Sequence, residues 1–257
     1  MSSAPSPPAM LRRSELAIAG IVDESNDTKT FRLTAPESGL PQFQPGQFYA
    51  LEVPGPDGAW IRRSYSVASS PLERRWLDFT IKKVEGGAAT TALFERLRPG
   101  DRLRATGPFG EFVLDAARPA IFVTGGVGVT PILSMLRYLD ATSSALPVCL
   151  LYANRTGADV LFEEELRAMA ARRANFEFHF SLTRATEADR ARWRGRSGRF
   201  DAATIQQICR GMSDRVAYLC GPIPMMEESG KALLSLGLAA KDIRTEAFVG
   251  VSPTFGG

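Results

Sequence analysis

Apolar positions follow two different rhythms along the chain. From Ser14 to Asp115 they fall in short runs, over residues 15–22, 28–34, 47–53, 64–68 and 76–84, that alternate or stay apolar between turn signals such as Pro45-Gly46, Pro54-Gly55, Pro99-Gly100-Asp101 and Gly107-Pro108. Short strands at that spacing predict an antiparallel β-barrel or sandwich. One helix is expected within this part, over residues 90–97, where apolar residues recur at helical spacing. After Pro119 the pattern changes. Residues 120–124, 148–152, 176–182 and 216–219 read as buried strands, alternating with helical patterns over 131–139, 160–172, 202–209 and 224–236. Alternating strands and helices predict a parallel sheet covered on both faces. The chain is therefore expected to hold two domains: a β-barrel over 12–117 and an α/β domain over 118–250, flanked by tails at 1–11 and 251–257.

Composition narrows the field. At 257 residues, with 44% hydrophobic and 23% charged residues, the chain is long enough for two modest hydrophobic cores. A net charge of +3 gives no global reason to expect nucleic acid or an anionic membrane as partner. No apolar run approaches the roughly 20 residues of a membrane span. Cys149, Cys209 and Cys220 stand far apart and His179 is the sole histidine, so no sequence-local zinc or iron–sulfur spacing exists and no metal is expected. Sparse, unpaired cysteines suit a reducing, cytoplasmic setting. The Ser- and Pro-rich start lacks the basic and apolar regions of a signal peptide and reads as a disordered tail.

Candidate chemistry gathers at four places. Gly125-Gly126-Val127-Gly128-Val129-Thr130-Pro131 follows a strand and opens a helix, where glycines let the backbone approach a pyrophosphate and the helix start favours an anion. A tight strand-to-helix turn would use the same residues. The next two strands end in Tyr152-Ala153-Asn154-Arg155 and Ser181-Leu182-Thr183-Arg184, and Arg199 follows Gly198. An acidic residue at such a strand end would hold a ribose 2′-hydroxyl, whereas arginine accommodates a 2′-phosphate, so NADPH is favoured over NADH. Solvated loop arginines are the plain alternative in a chain where 26 of 31 basic residues are Arg. Cys220-Gly221-Pro222 closes another strand: a thiol beside a bound ring, or a buried thiol and a turn. Finally, residues 62–71 begin Arg62-Arg63-Ser64-Tyr65-Ser66, joining guanidinium forks suited to phosphate with a flat ring between hydroxyls.

Taken in order, these elements resemble the ferredoxin-NADP reductase family, over nearly the whole chain from about Leu11 to Phe248. Arg63-Ser64-Tyr65-Ser66 is similar to that family's flavin motif, Gly86-Gly87-Ala88-Ala89-Thr90 to its second flavin-phosphate segment, and Gly107-Pro108-Phe109-Gly110 to the end of its barrel. Gly126 to Pro131 and Cys220-Gly221-Pro222 are similar to its nicotinamide motifs. The resemblance implies FAD and NADPH or NADH as cofactors. It implies Arg63 on the FAD pyrophosphate, Tyr65 stacked on the isoalloxazine, Ser66 near the flavin atom that accepts hydride, and Val67 and Ala68 along the flavin edge. Gly87, Ala88, Ala89 and Thr90 would meet the diphosphate. Gly126, Gly128, Thr130, Pro131, Arg155, Thr183, Arg184, Arg199, Cys220, Gly221 and Pro222 would hold the dinucleotide. Ser66, Cys220, Glu246 and Phe248 form the implied catalytic set, although nine residues follow Phe248 and a core Phe at a strand end is the alternative reading. Neither a fused ferredoxin domain nor a terminal cysteine cluster is seen, so a separate ferredoxin-like acceptor is expected. A diffusible flavin or quinone acceptor, or a non-catalytic flavin-binding subunit, are the competing expectations.

Overall fold

A computed structural model describes residues 12–35, 39–40, 42–55, 57–248 and 251–255. The expected tail over 1–11 lies outside the described residues. The first half forms one six-stranded antiparallel sheet from β1 (Arg12–Ser25), β2 (Thr28–Thr34), β3 (Phe48–Pro54), β4 (Trp60–Ser66), β5 (Leu77–Lys82) and β6 (Arg102–Phe109), in the order β4-β3-β6-β1-β2-β5. The two outer strands come together beyond the end of β4, where the Ala68 amide donates to the Asp78 carbonyl (2.8 Å) and the Asp78 amide to Ser69 Oγ (3.1 Å). Alternation accounts for the interior: Leu16, Ile18, Phe31, Leu33, Tyr49, Leu51, Phe79 and Leu103 are all buried in one cluster. A short helix α1 (Ala88–Thr91) runs on into a wider turn, Ala92–Arg96, that plugs this interior with Leu93.

The second half is a six-stranded parallel sheet: β7 (Ala120–Gly125), β8 (Val148–Asn154), β9 (Phe176–Leu182), β10 (Arg196–Ser197), β11 (Val216–Cys220) and β12 (Ile243–Glu246), in the order β10-β9-β8-β7-β11-β12. Helices α2 (Val129–Ala141) and α3 (Glu163–Arg172) bury their apolar stripes on one face. Helices α5 (Ala202–Cys209) and α6 (Ile223–Ser235) cover the other, and a short polar helix α4 (Glu187–Arg192) precedes β10. The chain winds outward from β7 through β8, β9 and β10, then crosses back to β11. Strand order therefore reverses between β7 and β11, and open α/β sheets bind ligands at the carboxyl ends of strands at such a point.

Strands β6, β10 and β12 and helix α4 are not among the elements the sequence predicts. Strand β6 carries Gly107-Pro108 yet keeps the alternation Leu103, Ala105, Gly107 buried, which holds it in the sheet. β10 and β12 are too short for periodicity to register. α4 has no apolar stripe and is set by its capping box, Thr186 with Asp189. The two sheets are packed together. Ala68, Phe112 and Leu114 from the first half lie in the same buried cluster as α2, and Phe112 meets Tyr218 of β11 edge-on at 5.6 Å.

Candidate active site

The carboxyl ends of β7 and β11 bring two glycine turns together. After β7, Gly126–Gly128 form a tight 3₁₀ turn that leads into α2. A Cβ on Gly128 would overlap the carbonyl oxygen of Cys220, so only glycine lets this turn sit against the end of β11. Pro222 caps α6, and its ring lies 3.2 Å from where a Cβ on Gly125 would fall. Thr130 is buried and donates its hydroxyl back to the Val127 carbonyl (3.0 Å), while Pro131 occupies the first turn of α2, where its missing N–H costs no bond. Arg155 and Arg184 sit just past β8 and β9 and are joined by a backbone bond, Arg184 N to Arg155 O, 2.7 Å. Thr183 is tied to the Asn154 carbonyl through both its amide and its hydroxyl, and Arg199 follows β10. The three guanidinium groups are exposed at one edge of the sheet, and among the described residues none has a carboxylate partner.

Edge strand β4 faces this sheet from the first domain. Arg63 is exposed, donates to the Arg62 carbonyl (2.8 Å) and has no carboxylate partner among the described residues. Tyr65 pairs in register with the buried Tyr49 and packs on the barrel core, and burial pushes its phenol up to about 12, so it stays neutral and flat. The amides of Val67 and Ala68 are both engaged within the fold, by the carbonyls of Gln47 and Asp78. α1 packs beside β4 with Gly87 at its N-cap. Ala89 and Thr90 are buried there, and the Thr90 hydroxyl bonds to Val84 and Gly87, so it braces the loop. The guanidinium of Arg63, without a carboxylate among the described residues, a glycine-opened helix start and a neutral ring on β4 form a donor set suited to the diphosphate and planar ring of FAD.

At the cleft, one side-chain hydrogen bond links the two domains beside a buried thiol. Ser66, buried at the end of β4, donates its hydroxyl to Glu246 Oε1 at 3.1 Å, although the residues are 180 positions apart. Glu246 ends β12 in register with Cys220 of β11. Burial raises the Glu246 carboxyl to about 7 against the opposing effect of the Ser66 hydrogen bond. The Cys220 thiol is fully buried and held well above its ordinary value, first by burial and then by the Glu246 charge, so it is neutral. Ser66, Glu246 and Cys220 thus form one cluster. Phe248, two residues on, is 47% exposed and is no core residue. Beyond it the chain turns back: Ala247 N donates to Ser252 Oγ (2.9 Å) and Thr245 Oγ1 to the Pro253 carbonyl (2.6 Å). The Phe255 ring lies where a Cβ on Gly230 of α6 would fall.

One group around the site carried no sequence motif. Arg137 of α2 donates Nη1 to the Ala68 carbonyl (2.9 Å) and holds Glu165 of α3 with two bonds of 2.7 Å, while Ser134 Oγ donates to the Ser69 carbonyl (2.7 Å). These contacts clasp the segment that follows Ser66. The available signal was polar residues on an otherwise apolar helix, which periodicity alone assigns to a solvent face.

Comparison with known proteins accords with this geometry. Residues 15–114 match the family model described as an oxidoreductase FAD-binding domain, and residues 122–231 the one described as an oxidoreductase NAD-binding domain. Over these two segments the chain belongs to the FAD-binding and NAD-binding oxidoreductase domain families. It is 32% identical over 230 residues to a glycine betaine monooxygenase reductase subunit of Pseudomonas aeruginosa, covering 89% of this chain and 62% of that one. It is 33% identical over 236 residues to a flavohemoprotein of Bordetella pertussis, covering 88% and 58%. The chain thus spans less than two thirds of the length of these relatives. Among solved structures, the cytochrome P450 reductase of Amycolatopsis superposes with a TM-score of 0.81 at 29% identity, over 96% of this chain and 73% of that one. No helix among the described residues is long and apolar enough to cross a membrane.

Proposed function

We propose that the protein oxidises NAD(P)H, with NADPH preferred, and delivers the electrons to a separate ferredoxin-like or oxygenase protein. The observation that carries this reading is the Ser66–Glu246 hydrogen bond, made across the two domains beside Cys220 at the strand-order reversal. Bound FAD supplies the step from a two-electron donor to single-electron delivery. The rest falls to the chain. Arg63 and the start of α1 bind the diphosphate, and Tyr65 presents a neutral ring. The Ser66 hydroxyl donates to the Glu246 carboxyl, which is raised to about 7 and so holds or releases a proton close to neutral pH behind Ser66. Cys220, kept neutral, fills the floor of the cleft without adding charge and excludes water from it. Arg155, Arg184 and Arg199 at one sheet edge favour a 2′-phosphate. Relatives that are reductase subunits or components of monooxygenases favour a protein acceptor.

Purified protein is expected to be yellow and to bleach anaerobically with NADPH. A colourless protein unable to take up FAD would overturn the reading. Arg184→Ala should raise the KM for NADPH by on the order of tenfold with little effect on NADH, measured in steady state. Equal effects on both would remove the preference for the phosphorylated cofactor. Reduction of a purified ferredoxin, compared with free flavin under the same conditions, tests the acceptor.

A further inference from the structure

We propose that the parallel sheet carries a second site, one for a zinc-like divalent cation, built from Cys149, Glu177 and His179 on the face covered by α5. Sulfur, carboxylate oxygen and ring nitrogen from these three residues all lie within 4.8 Å of one another. Strand register produces the convergence: Cys149 is paired with Glu177 and Leu151 with His179 across β8 and β9, and the period of two puts all four on one face. His179 Nε2 stands 2.7 Å from Glu177 Oε1. Cys209, the last residue of α5, is fully buried in the same cluster as Cys149 and its thiol neighbours that of Cys149, so it is the side chain that would move in to supply a fourth donor. The sole histidine of the chain therefore meets Cys149 at one place, with Cys209 packed beside that cysteine.

The donor set defines the ligand. Thiol sulfur with imidazole and one carboxylate suits zinc and its borderline-soft neighbours, whereas magnesium and calcium prefer all-oxygen shells. Glu177 is exposed and His179 half-buried, so a cation has entry from solvent with the sulfur at the base. Ligation takes Cys149 as thiolate, its proton leaving to water. Cys149 is the second residue of β8, whereas the nucleotide edge lies past Asn154 at that strand's other end. The site is therefore separate from the redox cleft, and its effect is to tie β8, β9 and the end of α5 together.

Cobalt(II) titration of the chelator-treated full chain tests this directly, because thiolate-to-cobalt charge transfer gives a near-ultraviolet band. One equivalent should bind with that band, and zinc should displace it and raise the Tm. His179→Gln, at a half-buried position that leaves the core intact, should weaken cobalt binding by on the order of tenfold or more. Cys149→Ala should abolish the band while circular dichroism stays native. Cys209→Ala should weaken binding, and unchanged binding in that variant would overturn its place in the set. Absence of the band with cobalt in excess, or an unchanged band and affinity in His179→Gln, would overturn the site.

Discussion

At the scale of single residues, Glu246 carries the most consequence. Its carboxyl is raised from an ordinary 4.5 to about 7 by burial, so the folded chain holds a proton there that the unfolded chain has lost. Between about pH 4.5 and 7 the native state binds more protons than the unfolded one, and stability therefore falls as pH rises through that window. The cost is complete above about pH 7, with a ceiling of about 3 kcal/mol from the size of the shift. Glu246→Gln keeps an acceptor for Ser66 and removes the charge. Its Tm should exceed wild type at pH 8 and match it near pH 5, as scanning calorimetry would show; equal Tm at both values would mean the carboxyl is not held up. Ser66→Ala removes the one hydrogen bond that lowers this carboxyl. The pH dependence of turnover should then move to higher pH, and turnover itself should drop about a hundredfold. A pH–rate profile reads both.

At the scale of elements, the site is two turns pressed against each other. Gly128 faces a backbone carbonyl, which cannot swing aside as a side chain could. Gly128→Ala should therefore destabilise the fold by about 1–3 kcal/mol and weaken nucleotide binding, read from the denaturation midpoint and from a nucleotide titration. Gly230 is the contrast, since the atoms it faces belong to the Phe255 ring, a side chain rather than backbone. The Gly128 turn was legible in the sequence, because glycines between an apolar strand and a helix have few other uses. The major strands were legible for the same reason: buried residues alternate or run together wherever a sheet faces a core. What the sequence did not show depends on contacts at a distance. Strand β4 carries exposed Arg62, Arg63 and Ser64 and starts at Trp60, four residues before its apolar pattern suggests, because an edge strand is held by its pairing to β3. Glu246 drew notice through family resemblance alone, since only the pairing of β12 with β11 sets it beside Cys220. Cys149 and Cys209 are likewise too far apart in sequence for spacing to connect them.

At the scale of the whole molecule, the proposed function depends on how firmly two sheets are held, because Ser66 and Glu246 belong to different ones. Three kinds of contact join them. Phe112 packs on Tyr218, the Tyr218 hydroxyl accepts from the Asp115 amide (2.7 Å), and Arg137 clasps the Ala68 carbonyl while Glu165 steadies it. The first two lie at the junction between the halves. The Arg137 bond to Ala68 and the Ser134 bond to Ser69 hold the segment just after Ser66, and Arg137 is the nearer of the two to the hydroxyl. Arg137→Ala removes a charge-assisted bond to a carbonyl, worth about 1.5–3 kcal/mol, and leaves Glu165 without its partner. Glu165→Ala removes an ion pair between partly exposed groups and leaves the bond to Ala68 in place, so about 1 kcal/mol or less is expected. If positioning is the role of Arg137, anaerobic stopped-flow reduction by NADPH should slow in Arg137→Ala by more than its loss of Tm accounts for. Glu165→Ala should then show a smaller effect in the same direction. A reduction rate unchanged in Arg137→Ala, together with a lowered Tm, would assign the clasp to stability alone and leave the Phe112–Tyr218 packing to set the distance between Ser66 and Glu246.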